Sequence, residues 1–456
     1  MLEPIRELNR SYLASQEEAG ADTVRDFKFL NDYLVQHLCT FRGEPMPSLL
    51  KPNFVSEKQT RILAYAVEKI SSALNKFISL YVSDKGVRRI MNFSSREEEL
   101  FRIDPGYSKA LVIARLDAFL DGYSITFLEF NCDSPAGIAY ADGQEAGFRE
   151  LFKDNPVFKN WKIDYFRRQE RLVNALMKCY GEYRSGEPSL PKKPVIAIVD
   201  WEDVSTYSEF QMHERYFSQK GYGTVICSPQ DITLKKGRVY AQDREVHLIY
   251  RRVITRELVE RWEEVGAFIH SLKKGKVCCC NPFRSFIVGS KKVLTLITDP
   301  RFQHIYSKEE LSVIRETIPW TKVLADTKVV FHEQEASLKN LVADNRDRFV
   351  LKPSNSYGGK NVFIGLDTDQ HTWEKVMNTH LYDDSWVVQE YVNIPRDTYP
   401  EIGEKVAFRD KYVNINPFAL LEKYSGTISR VSDDHVINVS AGGGLVPTLT
   451  VKRRDD

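Results

Sequence analysis

Arg115-Leu-Asp-Ala-Phe-Leu-Asp-Gly-Tyr-Ser-Ile-Thr-Phe-Leu-Glu-Phe-Asn-Cys-Asp133 carries the densest chemistry in the chain. Residues 110–116 and 124–130 read as two strands, and Asp121-Gly122-Tyr123 between them is a hairpin signal. Strand side chains alternate between faces, so Arg115 and Asp117 share one face, as do Glu129 and Asn131. Whether the two faces coincide depends on the turn. A three-residue loop at 121–123 sets Arg115 opposite Glu129 and Asp117 opposite Phe127, and all four polar side chains converge. A two-residue Asp-Gly turn splits them between opposite faces. Two carboxylates and an amide oxygen on one surface are the hard ligands that Mg2+ takes while sharing substrate phosphates. An arginine beside them can stabilise charge on a transferring phosphoryl group. The same residues also make an ordinary salt-bridged surface hairpin.

Two further segments lie downstream, where the pattern beyond residue 289 is α+β. A strand at 349–352 ends on Lys352 and enters the polar loop Ser354-Asn-Ser-Tyr-Gly-Gly-Lys360, with Ser356, Gly358 and Gly359 at its centre. Backbone N–H groups in such a loop can cradle phosphates while a lysine pairs with them. The GxxxxGK[ST] spacing is absent, so this is no P-loop, and a plain polar hairpin loop is the alternative. A helix near 372–380 precedes a strand at 386–392, which contains Gln389-Glu390-Tyr391-Val392. A strand end between two lobes can offer backbone groups to an adenine edge, with Glu390 or Gln389 toward its amino group.

Upstream, residues 195–252 read β-α-β with a further strand, a Rossmann-like layer. Asp200-Trp201-Glu202 stands where a GxGxxG fingerprint belongs, so dinucleotide binding is not expected. Arg251 and Arg252 follow the last strand and are candidates to face an acceptor cleft, or to be salt-bridged at the surface. The first hundred residues are helical, with Leu63, Val67, Ile70, Leu74 and Phe77 on one face after a Ser56/Gln59 capping box. Ser95 with Glu98 repeats that pattern. Residues 143–183 are mostly helical, and a loop rich in Ser, Gly, Pro and Lys at 185–194 marks a boundary. The last strands, at 426–451, are broken by Ala441-Gly-Gly-Gly444.

At 456 residues the chain is too long for one core. With 64 basic and 63 acidic residues, no global field favours nucleic acid or a membrane surface. No apolar stretch reaches bilayer-spanning length, and residues 1–30 lack the apolar core of a secretory signal. Seven cysteines fit a reducing compartment, so cytoplasmic localisation is expected. Three of them, Cys278 to Cys280, are consecutive without CxxC spacing and read as small buried strand residues rather than metal ligands.

Together and in this order, these segments resemble the circularly permuted ATP-grasp ligases, most closely the glutathionylspermidine synthetase-like group. The Glu-x-Asn strand precedes Lys352 by about 220 residues, the order the permuted families have. The likeness runs from about Gly106 onward and does not extend to that group's amidase domain. It implies an ATP-grasp fold in five parts: a helical region (1–105), the metal-binding part (106–184), a Rossmann-like layer (185–288), the lysine, phosphate-loop and hinge subdomain (289–392), and a remainder (393–456). It implies Asp117, Glu129 and Asn131 as ligands of magnesium, two ions, with Arg115 at the transferring phosphoryl group. Lys352 and Lys291, the latter in Ser290-Lys291-Lys292-Val293-Leu294, become the ATP lysines, and Gln389 to Val392 the adenine hinge. Arg430 matches an arginine of the last glycine-containing hairpin, and Ser134 a substrate-holding serine; Arg252 completes the substrate candidates. Pro135-Ala136-Gly137 departs from the glutathione-binding pattern, so other substrates are expected.

The implied reaction joins a small carboxylate to an amine through an acyl phosphate, with ATP as co-substrate and no protein nucleophile. Amino acids, peptides and carrier-bound acyl groups all stay open as substrates, and the oligomeric state is open too. Two other readings use the same fold: a silent ATP-binding scaffold, and a kinase that stops at a phosphorylated product.

Overall fold

Residues from three distant parts of the chain build the largest sheet. The structure, a computed structural model, describes residues 2–356, 359, 361–403, 405–439 and 442–454. The sheet runs in the order Asn53–Ser56, Gly444–Arg453, Lys423–Ser432, Val406–Leu420, Ile113–Asp121, Ser124–Asn131. Its first pairing is parallel and the others in that order are antiparallel. The first hundred residues are therefore not a separate helical unit, because their four-residue strand is an integral edge of this sheet. A strand so short carries no readable period, and only its long-range partner stabilises it.

The helix Glu57–Ser83 packs on the sheet. The predicted Ser56/Gln59 capping box opens it, and Leu63, Ile70, Leu74 and Phe77 are buried beneath. The second capping box sits one residue earlier than expected, on Ser94 and Glu97. Two consecutive serines each precede a glutamate by three positions. Glu98 is taken by the Tyr81 hydroxyl, which leaves Glu97 to reach back to the Ser94 N–H. The 15-residue strand Val406–Leu420 has no counterpart in the sequence reading. Asn414, Asn416 and Pro417 interrupt its apolar pattern, and its ladder slips between Pro417 and Ala419.

The Rossmann-like layer is a parallel sheet in the order Cys278–Cys280, Leu248–Arg251, Ile196–Val199, Thr224–Cys227. All three consecutive cysteines are buried in its edge strand. A third sheet is antiparallel, in the order Thr321–Val323, Trp386–Glu390, Phe349–Pro353, Phe363–Ile364. Among the described residues no helix is long and apolar enough to cross a membrane.

Asn281 joins the layer to the large sheet. From the carboxyl end of Cys278–Cys280, its Oδ1 accepts the Ile113 N–H at 2.8 Å. Its Nδ2 donates to the carbonyls of Ile113, Cys132 and Asp133 at 2.7, 3.0 and 3.2 Å. One buried amide thus grips both ends of the Arg115–Asn131 hairpin.

Candidate active site

The hairpin turns through Gly122 and Tyr123, with Gly122 at φ 59° and Asp121 paired with Ser124. The loop has two residues, not three. Continued unbroken, that register would turn Glu129 and Asn131 away from Arg115 and Asp117. A β-bulge restores it. Leu128 is left out of the pairing, so Asp117 lies opposite Glu129 and Arg115 opposite Asn131. The four side chains converge, by a different route from the one the turn predicts. The carbonyl of the bulged Leu128 accepts a hydrogen bond from Lys352 Nζ at 3.1 Å.

Cations surround the two carboxylates. Asp117 accepts from Arg115 Nε at 3.1 Å and from Arg430 Nη1 at 2.9 Å. Glu129 lies 3.0 Å from Lys291 Nζ, which also donates to the Ser356 carbonyl at 3.0 Å. Burial pushes the Glu129 carboxyl up, but Lys291, Lys352 and Arg430 outweigh it and hold it well below the usual carboxylate range. Burial and Lys291 bring Lys352 down to about 7, against the pull of Glu129 and Asp117. Burial and Arg115 also lower Arg430. Lys292, the neighbour of Lys291, turns away and donates to the Ile90 and Met91 carbonyls.

These groups line one cavity of about 520 Å³, within the range of small-molecule sites. Arg115, Asp117, Glu129, Asn131 and Arg430 come from the large sheet, and Lys352 from the third sheet. Ser356, Gly359, Gln389, Glu390 and Val392 also line it, while Gly358 lies outside the described residues. Val350, Val362 and Ile364 give the hinge end an apolar wall. Gln389 is turned inward: its Oε1 accepts from Lys352 Nζ at 2.7 Å and its Nε2 donates to Thr321 Oγ1 at 2.9 Å. Glu390 Oε1 lies 2.8 Å from His332 Nε2.

The donor set fits a hard divalent cation. Asp117 and Glu129 supply charged oxygens, and the buried Asn131 Nδ2 has no hydrogen-bond partner among the described residues. Among the described residues no group of three or more His, Cys, Asp or Glu gathers as a metal cluster. Two carboxylates and an amide suit an ion that shares substrate phosphates for the rest of its shell.

Ser134 and Arg252 are not among the residues lining the cavity. Ser134 Oγ donates to the Arg251 carbonyl at 3.0 Å. Arg252 is buried, donating to the Pro135 carbonyl at 2.7 Å and pairing with Glu209 at 3.2 Å. Arg251 is buried as well, 2.7 Å from Asp133. Neither arginine is a surface salt bridge, because both lie beneath the loop that follows Asn131. Sequence reasoning passed over Asn281, Asn414 and Arg42. The last two line the cavity, and the buried Asn414 Oδ1 has no partner among the described residues. A polar residue interrupting the apolar run at 411–420 was the available signal for Asn414.

No protein-family model matches the chain. It is 24% identical over 349 residues to a Frankia alni protein named as a glutamate–cysteine ligase (2-3), covering 72% of this chain and 37% of that one. A Frankia casuarinae protein named as glutamate–cysteine ligase 2-2 is 23% identical over 344 residues, with the same coverage. The chain thus matches little more than a third of the length of these relatives. Among solved structures, it shares the fold of a glutathione synthetase-like effector (GSS30) from Globodera pallida, at a TM-score of 0.65 and 10% identity over 94% of this chain and 97% of that one. Both relatives are named as glutamate–cysteine ligases, and neither name singles out the glutathionylspermidine group.

Proposed function

We propose that this chain is a permuted ATP-grasp ligase that uses ATP to join a small carboxylate to an amine through an acyl phosphate. The observation that carries the reading is the convergence of Asp117, Glu129 and Asn131 with Lys291, Lys352, Arg115 and Arg430 on one cavity whose far wall is apolar. The names of the Frankia relatives point the same way. In this reading Asp117, Glu129 and Asn131 would hold magnesium, which would supply charge neutralisation at the ATP phosphates.

Lys291 and Lys352 bind the phosphate chain, and the loop carrying Ser356 and Gly359 covers it, excluding water from a product that hydrolyses readily. The hinge at Glu390 to Val392 receives adenine. Gln389 positions Lys352 rather than touching the base, since both ends of its amide are engaged. The bound carboxylate attacks the γ-phosphoryl group in line, ADP leaves, and an acyl phosphate remains. The amine nitrogen then bonds to the acyl carbon, the bond to phosphate oxygen breaks, and the amine loses its proton. Arg115 and Arg430 face the oxyanion of that tetrahedral step.

The test is ADP release from Mg-ATP, screened against pooled carboxylates and amines. Release that needs both partners supports the ligase. Release with the carboxylate alone replaces it with a kinase, and tight ATP binding without release in any pool replaces it with a scaffold.

A further inference from the structure

The cavity has a second end that the nucleotide chemistry leaves unused. Phe41, Arg42, Tyr140, Ser205 and Thr206 line it, and their elements are tied to one another. The short hairpin Thr40–Phe41 with Glu44–Pro45 turns through Arg42 and Gly43, at φ 54° and 86°. Ser208 Oγ donates to the Thr40 carbonyl at 2.6 Å and shares a 2.8 Å hydrogen bond with the Tyr140 hydroxyl. The Leu445 N–H holds the Pro47 carbonyl at 2.7 Å. The hairpin is pinned at its base, and Arg42 at its tip reaches the cavity.

Charge in the cavity is lopsided. Among the described residues its carboxylates are Asp117, Glu129 and Glu390. Each already faces a cation: Asp117 has Arg115 and Arg430, Glu129 has Lys291, and Glu390 has Arg348. Arg42 has no ion-pair partner among the described residues and stacks only on its neighbour, 5.3 Å from the Phe41 ring centroid. The Ser205 and Thr206 hydroxyls are likewise unengaged, and Thr206 heads the helix Tyr207–Gln219 without a side-chain cap. The open groups at this end are thus a guanidinium and two hydroxyls, which together suit a carboxylate.

Resting on the ligase reading above, we propose that this end is the acceptor subsite and takes an amine that bears its own carboxylate, a free amino acid. Arg42 is the specificity-determining residue that holds that carboxylate. A polyamine brings positive charge to a wall where every carboxylate is engaged, and like-charge juxtaposition disfavours it.

The test is calorimetric titration of the full chain, holding Mg2+ and a non-hydrolysable ATP analogue, with each proteinogenic amino acid and with the decarboxylated amine of every one that binds. Arg42→Gln is titrated in parallel; it removes the charge at an exposed turn while keeping a long polar side chain. The expected result is binding of at least one amino acid, with its decarboxylated amine weaker by roughly tenfold or more. Arg42→Gln weakens the amino acid by a similar factor and leaves nucleotide affinity unchanged. The proposal is overturned if no amino acid binds, if the decarboxylated amine or spermidine binds as well, or if Arg42→Gln has no effect. Arg42-dependent binding without ADP release from ATP in any pool would strike down the ligase reading and leave the subsite standing.

Discussion

Glu129 is approached by two lysines from different parts of the fold, Lys291 at 3.0 Å and Lys352 through its field. In the proposed mechanism Glu129 serves the ion, so Glu129→Ala should abolish ADP release while circular dichroism and thermal unfolding stay close to the parent. Full activity in that variant would remove the metal assignment. Lys352 makes a pH prediction. Burial and Lys291 bring it from 10.5 to about 7, whereas an unfolded lysine stays charged to about pH 10. Between these values the folded state holds fewer protons than the unfolded, so this group's contribution to stability rises with pH across that window. In the proposed mechanism, phosphates bound beside Lys352 would restore its charge. ATP binding should then take up roughly one proton at pH 8.5 and almost none at pH 6, measured by calorimetry in buffers of different ionisation enthalpy. Lys352→Met should abolish the uptake; an unchanged proton count would assign it to another group.

At the scale of elements, the site depends on one extra residue in one strand. The identities of Arg115, Asp117, Glu129 and Asn131 are legible in the sequence, and so is a turn between them. The bulge at Leu128 is not, because a strand with an unpaired residue reads like a strand without one until its partner is in place. Deleting Leu128 would keep these pairings, because it is the unpaired residue, whereas inserting one alanine after Leu128 should shift Glu129 and Asn131 by one position and send them to the opposite face. Mg-dependent ATP binding, followed by calorimetry, should fall by at least tenfold in the insertion, whereas Leu128→Ala, which keeps the backbone count, should hold it near the parent value. Equal binding by the insertion would mean that the register reforms elsewhere. The Ser94/Glu97 box makes the same point: local spacing permitted two caps, and the Tyr81 hydroxyl selected between them.

At the scale of the molecule, Asp133 has a role that its place in the Glu-x-Asn-x-Asp motif does not suggest. Its carboxylate pairs with Arg251 at 2.7 Å and accepts from the Thr255 N–H and hydroxyl at 2.6 and 2.7 Å. It is buried, bridging the end of the Arg115–Asn131 hairpin to the Rossmann-like layer. Asp133→Ala leaves the fully buried Arg251 guanidinium without its counter-charge and should cost about 3–5 kcal/mol in urea denaturation. Residual folded protein should keep ATP affinity, in contrast to Glu129→Ala, which should lose turnover without losing stability. A destabilisation under about 1 kcal/mol would show that the carbonyls around Arg251 suffice.

The chain by itself determined which residues are candidates for chemistry, because the identity and order of carboxylates, lysines and glycine loops are linear information. It also determined the parallel layer and the long capped helix, whose signals are local periodicity and local caps. Tertiary structure alone decided which candidates meet. It joined the strand Asn53–Ser56 to residues nearly 400 positions away, buried Arg252 against Glu209, tied the Gln389 amide to Lys352 and Thr321 and brought Arg42 to the cavity's far end. Each of these is a contact between distant segments, and its energy exists only once the backbone has closed the loop between them.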